Sequence, residues 1–138
     1  MYLFDTNVLS ELSNRRPNQE VHHRFFATGP TARLASTVTL QELRYGAAIH
    51  PQPDIVWAKV EREILPWVRW LEFDADTALR AGMLQAGLER DGRIIGVEDI
   101  QIAATALWHG LTLVTRNTRH FERVEGLKIE NWFESAHQ

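Results

Sequence analysis

A three-residue apolar run, Tyr2-Leu3-Phe4, stops abruptly at Asp5 and is followed at once by Thr6-Asn7-Val8-Leu9-Ser10-Glu11-Leu12. Val8, Leu9 and Leu12 fall on one side of a helix, so the stretch reads as a buried strand, a carboxylate at its C-terminal tip and a helix beginning immediately after it. A strand feeding directly into a helix restricts the chain to architectures in which helices cover a sheet. In open parallel sheets of that kind the ligand crevice lies outside the carboxyl ends of the strands. Asp5 is therefore expected at the mouth of such a crevice.

The same junction recurs. Ala32–Ser36 reads as a strand running into a helix over Thr37–Ala48, with Glu42 in that helix. Trp70–Phe73 reads as a third strand, and Asp74 as the cap of a long helix through Leu88. Ile100–Leu107, with few polar side chains, reads as a helix buried on the sheet, carrying Glu98 and Asp99 in its first turn and Gly110 at its end. Leu111–Thr115 is a β-branched, apolar strand, followed by the polar loop Arg116–Phe121 with one helical turn. Leu127–Asn131 is expected as an edge strand, and residues 132–138 as a short tail. Elsewhere, Val21, Phe25 and Phe26 mark a helix after Pro17, and Ile55–Leu65 another, with Asp54 as its expected cap. Trp57, Trp67 and Trp70 read as core packing or as an interface patch. Strands alternating with helices give one α/β domain over residues 1–138, with a mainly parallel sheet of four or five strands flanked by helices.

Composition narrows the function classes. There are 138 residues, 44% of them hydrophobic, enough for one real core. With no cysteine, disulfides and zinc–thiolate sites are excluded and a reducing, cytoplasmic setting is expected. No apolar run is long enough to span a bilayer, and the N-terminus lacks the pattern of a signal peptide. A net charge of −3 and a pI near 6.1 argue against a general nucleic-acid coat protein. They leave room for an enzyme acting on nucleic acid, since a carboxylate cluster lowers the charge by itself. Of the 15 basic residues only Lys59 and Lys128 are lysine; the arginine excess suits phosphate contact or reflects base composition.

Asp5, Glu42 and Asp99 thus fall at strand ends or helix starts that share one edge of a parallel sheet. Three anions in one crevice call for a positive partner, and all-oxygen ligation suits Mg²⁺ or Mn²⁺. Such an ion activates water and clamps a phosphodiester. Thr6, Asn7, Ser36 and Thr115 are hydrogen-bonding candidates on the same rim, with Asn117, and Arg116 is a candidate for a substrate phosphate. Each acid also has a purely local reading. Asp5 caps a helix, Thr39-x-x-Glu42 matches a capping box, and Asp99 and Glu98 complement a helix macrodipole. His120 reads as a surface or packing histidine.

The blocks Leu3–Leu12, Thr39–Gly46, Gly96-x-x-Asp99-x-x-Ile102–Ala106 and Thr112–Asn117, in that order and spacing, resemble the PIN domain in its VapC/FitB-like toxin branch. The resemblance implies a PIN fold and a Mg²⁺- or Mn²⁺-dependent ribonuclease. It also implies a homodimer, inhibited by a cognate antitoxin that inserts a C-terminal segment into the groove and alone brings the assembly to DNA. It carries the metal-binding acids onto Asp5, Glu42 and Asp99, with the ion held chiefly by Asp5 and Asp99. It also exposes a departure: where many relatives place a fourth acid, this chain has neutral Asn117 and His120. Glu98 compensates only if it points into the crevice, and neighbouring helical residues diverge by about 100°. The departure leaves a second reading open, a catalytically weak PIN fold that binds RNA or protein. A receiver-type signalling domain lacks its late-strand lysine here, and a haloacid-dehalogenase-like phosphatase lacks the Asp-x-Asp pair.

Overall fold

Alternation along three short strands divides the molecule into two cores. The computed structural model describes residues 1–134. Strand β1 (Tyr2–Phe4) points Leu3 to one face and Phe4 to the other; Leu34 and Ala35 of β2 (Arg33–Ser36) and Leu113 and Val114 of β4 (Thr112–Val114) do the same. The Leu3–Leu34–Leu113 face packs on helices α5 (Ala75–Arg90) and α6 (Val97–His109) through Ala81, Leu88, Ile102 and Ala106. The Phe4–Ala35–Val114 face packs on α1 (Thr6–Glu11), α2 (Gln19–Ala27), α3 (Thr37–Ala48) and α4 (Pro53–Glu63) through Val8, Phe25, Leu43 and Val60. These strands are apolar on both faces because both faces are covered.

The sheet has five strands in the order β3-β2-β1-β4-β5, with β3 at Arg69–Leu71 and β5 at Ile129–Glu130, and every pairing is parallel. The chain builds outward from β1 to β3, then returns to the other side of β1 with β4. The strand order therefore reverses between β1 and β4, and the crevice of a doubly wound sheet opens at that reversal. Asp5 lies at the end of β1 and Thr115 at the end of β4, so both sit at the reversal.

Several local signals act as the sequence indicates. Asp74 caps α5, accepting from Thr77 N at 2.9 Å, and Gly110 ends α6 at φ 65°. The short helix α7 (Thr118–Phe121) is the turn expected after β4. Others differ. Helix α4 starts at Pro53 with Gln52 at the cap, so Asp54 sits in its first turn instead of capping it. Strand β3 is shifted toward Arg69, because Phe73 N leaves the ladder to donate to Thr37 Oγ1 at 3.1 Å. Trp57 and Trp70 pack on the core while Trp67 stays 41% exposed.

The largest departure is Trp132. The sequence places it in a short tail, yet it is 1% exposed. It stacks edge-on against Tyr2 and Phe4, both at 5.2 Å, beneath the Arg24 guanidinium, and donates Nε1–H to Glu130 at 2.9 Å. Residues 135–138 of that segment lie outside the described residues. Trp132 closes the α1–α2 face beside the edge strand, covering Phe4 together with Phe25, whose ring centroid lies 4.9 Å from it. Trp132→Ala is expected to cost about 3–5 kcal/mol, read as a lowered urea midpoint with an unchanged denaturant slope.

Candidate active site

Asp5 is buried at 6% exposure. The chain turns from strand to helix at this residue, so its carboxylate caps α1 through Thr6 N at 2.8 Å. It also accepts from Thr115 Oγ1 at 2.8 Å and Asn7 Nδ2 at 3.2 Å. Three donors from two strand ends fix its orientation. No Lys, Arg or His among the described residues lies within ion-pair distance of it. Burial raises its pKa above the usual carboxylate value; the bonds from Thr115, Thr6 and Asn7 oppose that, and the charge of Asp99 adds to it.

Glu42 is reached from the same loop. Thr6 donates its hydroxyl to Glu42 Oε1 at 2.6 Å, tying α1 to α3 across the groove. Burial is again the main cause that raises its pKa, offset by the Thr6 bond and reinforced by Asp5, Glu98 and Asp99. The capping-box reading of Glu42 fails for a geometric reason. Helix α3 begins at Thr37, with Ser36 as its cap accepting from Val38 N at 3.0 Å, so Thr39 is already inside the helix and fully buried.

Helix α6 brings in the third acid. Its first turn spreads two carboxylates onto two walls. Glu98 joins Glu42, Thr6, Gln41, Tyr45 and Val97 around one groove. Asp99 faces the other way, where its Oδ2 lies 2.9 Å from His120 Nδ1. The helical divergence of adjacent residues thus separates them. His120 occupies a position that local sequence reads as surface or packing; its contact with Asp99 spans 21 residues and leaves no local signal.

Most of the rim hydrogen-bonders serve the carboxylates instead of facing outward. Thr115 is fully buried, donates a hydrogen bond to Asp5 and accepts one from Asn117 N at 3.0 Å. Asn7 donates to Asp5 and accepts from Arg116 N at 3.1 Å. Ser36 is fully buried, and its hydroxyl oxygen caps α3 by accepting from Val38 N. Of the expected substrate contacts, Arg116 is the one left exposed at the rim, its guanidinium 4.5 Å from the Phe133 ring centroid. Asn117 is exposed at the start of α7.

The donor set fits a hard divalent cation: a buried carboxylate without a cationic partner and two further carboxylates within electrostatic range, all oxygen. Among the described residues no three Asp, Glu or His side chains are clustered closely enough to enclose an ion unaided. The set matches an ion that keeps much of its water and takes one or two carboxylates. The pKa of Asp5 gives a stability consequence. A carboxyl raised on folding contributes stability that is fully present below its unfolded value, near about 3.9, and lost as pH rises through the raised native value. In EDTA, the thermal midpoint of Asp5→Asn is therefore expected to gain on that of the parent chain as pH rises from acid to neutral. A gap independent of pH would show that Asp5 ionises without cost.

A model of the "PIN domain" family matches residues 2–127 of the chain. The chain is 37% identical over 131 residues to ribonuclease VapC2 of Haemophilus influenzae, with 95% of this chain and 97% of that protein covered. It is equally similar, at the same coverage, to the tRNA(fMet)-specific endonuclease VapC of Shigella flexneri. Among solved structures it superposes on the FitAcB complex of Neisseria gonorrhoeae with a TM-score of 0.88 at 31% identity, covering 98% of this chain and 100% of that one. VapBC2 of Rickettsia felis, bound to a DNA fragment from its promoter, gives 0.87 at 29% identity, covering 95% and 98%. A match that runs from β1 past β4 and α7, with relatives aligned along nearly their whole length, places this chain in the PIN domain family, in its VapC/FitB branch.

Proposed function

We propose that this chain is a divalent-metal-dependent endoribonuclease and the toxin half of a toxin–antitoxin pair. The observation that carries the chemistry is Asp5, a buried carboxylate held by three donors at the strand reversal, with Glu42 and Asp99 in electrostatic range. The partner reading rests on the company of its relatives, since the FitB and VapC neighbours are seen in complexes with FitA and VapB proteins, some of them on DNA. A cognate antitoxin, contacting DNA on the toxin's behalf, and a homodimer of this chain complete the reading.

Asp5 and Asp99 would hold the ion, Mg²⁺ or Mn²⁺. When bound, it supplies charge neutralisation at the scissile phosphate and makes water in its shell more acidic. The protein's own contribution is positional and acid–base. Thr115, Thr6 N and Asn7 keep Asp5 from rotating. Glu42, whose pKa burial raises, is the basic group placed to take a proton from the attacking water. Asn117 stands at the lip, where its amide orients water or phosphate. Arg116, braced on Phe133, meets a phosphate oxygen from outside the carboxylate group. Water adds to phosphorus in line, the P–O3′ bond breaks, and the products are a 5′-phosphate and a 3′-hydroxyl.

A second reading, a catalytically weak PIN fold that binds RNA or protein, is favoured by one observation: Asp99 faces the imidazole of His120 in place of another carboxylate. Purified toxin assayed on total RNA separates the two. The nuclease reading expects cleavage with Mg²⁺ or Mn²⁺, none in EDTA, and a loss of at least about 100-fold in Asp5→Asn and in Asp99→Asn, with 5′-phosphates on the new ends. Activity that survives chelation, or survives both substitutions together, defeats it. RNA binding without cleavage under either ion establishes the binding module instead.

A further inference from the structure

The carboxylate group lies between two walls of opposite character. On the Glu42 side the groove of about 770 Å³ is acidic and apolar, lined by Glu42, Glu98, Tyr45 and Val97. On the Asp99 side a pocket of about 450 Å³ is bounded by Arg93, Arg119 and Arg123, with Gly96, Asp99 and His120. Three arginines line this one pocket from two parts of the chain, the loop before α6 and the segment around α7.

What sets these three apart from the other arginines free of rings and ion pairs is that they line one pocket together, beside Asp99. Arg24, Arg33, Arg44, Arg80 and Arg116 each lie over an aromatic ring, and Arg24 also pairs with Glu130. Arg93, Arg119 and Arg123 lie over no ring and form no ion pair among the described residues. Among the described residues their side chains make one hydrogen bond, Arg93 Nη1 donating to the Arg123 backbone carbonyl at 3.2 Å, which joins the two sides of the pocket. Placing three like charges around one hollow, with Asp99 lining it too but paired with none of them, opposes folding slightly. It is tolerable because each remains exposed to solvent. Such an arrangement is set up for an anion with several charges along its length.

We infer that the Arg93–Arg119–Arg123 pocket binds RNA phosphates flanking the scissile bond, so that the strand leaves the carboxylates over α7 and not over the acidic Glu42–Glu98 wall. The inference rests on the ribonuclease reading and adds a direction to it. The carboxylates take the reacting phosphate; the pocket takes its neighbours. Like charge at Glu42 and Glu98 turns the backbone away from the opposite wall. The contacts are to phosphate and are indifferent to base identity, so the pocket contributes affinity and register and leaves sequence choice elsewhere.

The test uses the full chain carrying Asp5→Asn, so that RNA stays intact, and a short single-stranded RNA of mixed sequence titrated over a range of salt. Each of Arg93→Ala, Arg119→Ala and Arg123→Ala is expected to reduce the slope of log K against log salt by about 0.7 and to weaken binding at low salt by about tenfold. Arg93→Lys and Arg123→Lys retain charge and are expected to keep most of the slope; Arg123 accepts from Arg93 through its backbone carbonyl, so Arg93→Lys against Arg93→Ala is the pair that separates a phosphate contact from loss of that bond. Arg119→Glu, on the exposed face of α7, serves if the alanine variants fold poorly. A double alanine variant with parental slope and affinity overturns the inference. So does one that binds RNA normally but no longer binds its partner protein, which makes the pocket a protein-docking site. If the unsubstituted chain cuts RNA while these variants behave as their parent, only this inference falls. If the unsubstituted chain neither binds nor cuts RNA with any divalent ion, the ribonuclease reading falls with it.

Discussion

The hydrogen bond from Thr115 Oγ1 to Asp5 Oδ2 joins the ends of β1 and β4 where the strand order reverses. It is the contact on which the arrangement of the site depends. An anion at 6% exposure without a cation beside it has to be compensated by dipoles, and three are supplied. Each also does something else. Thr6 N begins α1, Asn7 goes on to hold Arg116 N, and Thr115 goes on to hold Asn117 N. Orienting one carboxylate therefore orders both loops that rim the crevice. The compensation remains incomplete, since the carboxyl is still raised. A residual electrostatic cost at a fixed position is what an ion-binding site holds in reserve for its ion.

Much of this was legible in the sequence wherever the determinant was local. The strand–Asp5–helix junction, the Asp74 cap, Gly110 and the alternation of β4 are properties of a few adjacent residues, and they appear where the residues indicate. The misreadings share a cause in tertiary structure. Thr39-x-x-Glu42 has the form of a capping box, but Ser36 starts the helix and Thr6, 36 residues away, claims Glu42. Ser36 and Thr115 read as hydrogen-bonding candidates at the rim, and their burial depends on strands that neighbouring residues do not reveal. Trp132 follows a weak edge strand and resembles a tail until Tyr2 and Phe4, from the other end of the chain, are placed beneath it. His120 has no neighbour in sequence that marks it, and its partner Asp99 arrives on a different element.

Helix α6 divides the rim. Because Glu98 and Asp99 are adjacent, the helix must send them to different walls, and the chain treats the two walls differently. Beside Glu98 it puts Glu42, Tyr45 and Val97; beside Asp99 it puts an imidazole and arginines. A histidine in place of a carboxylate at position 120 removes a negative charge from the wall where the arginines gather. For the proposed ion, that is one ligand fewer. Read with Arg93, Arg119 and Arg123, it lowers the electrostatic resistance to a polyanion on that wall.

The net charge of −3 then ceases to conflict with an RNA substrate. A formal sum describes long-range attraction, and here that attraction is weak. Exposed charges farther apart than about 10 Å are screened at moderate salt, so what an RNA strand encounters at contact is the local set. Five of the thirteen arginines are committed to aromatic rings. Three others are concentrated at one pocket beside the carboxylates. A protein built this way gains little from nonspecific coating of nucleic acid, which needs many distributed phosphate contacts, yet holds a short segment against its acidic centre. Segregating charge across one helix turn reconciles a crevice that gathers carboxylates, as the proposed ion requires, with a substrate that those same carboxylates repel.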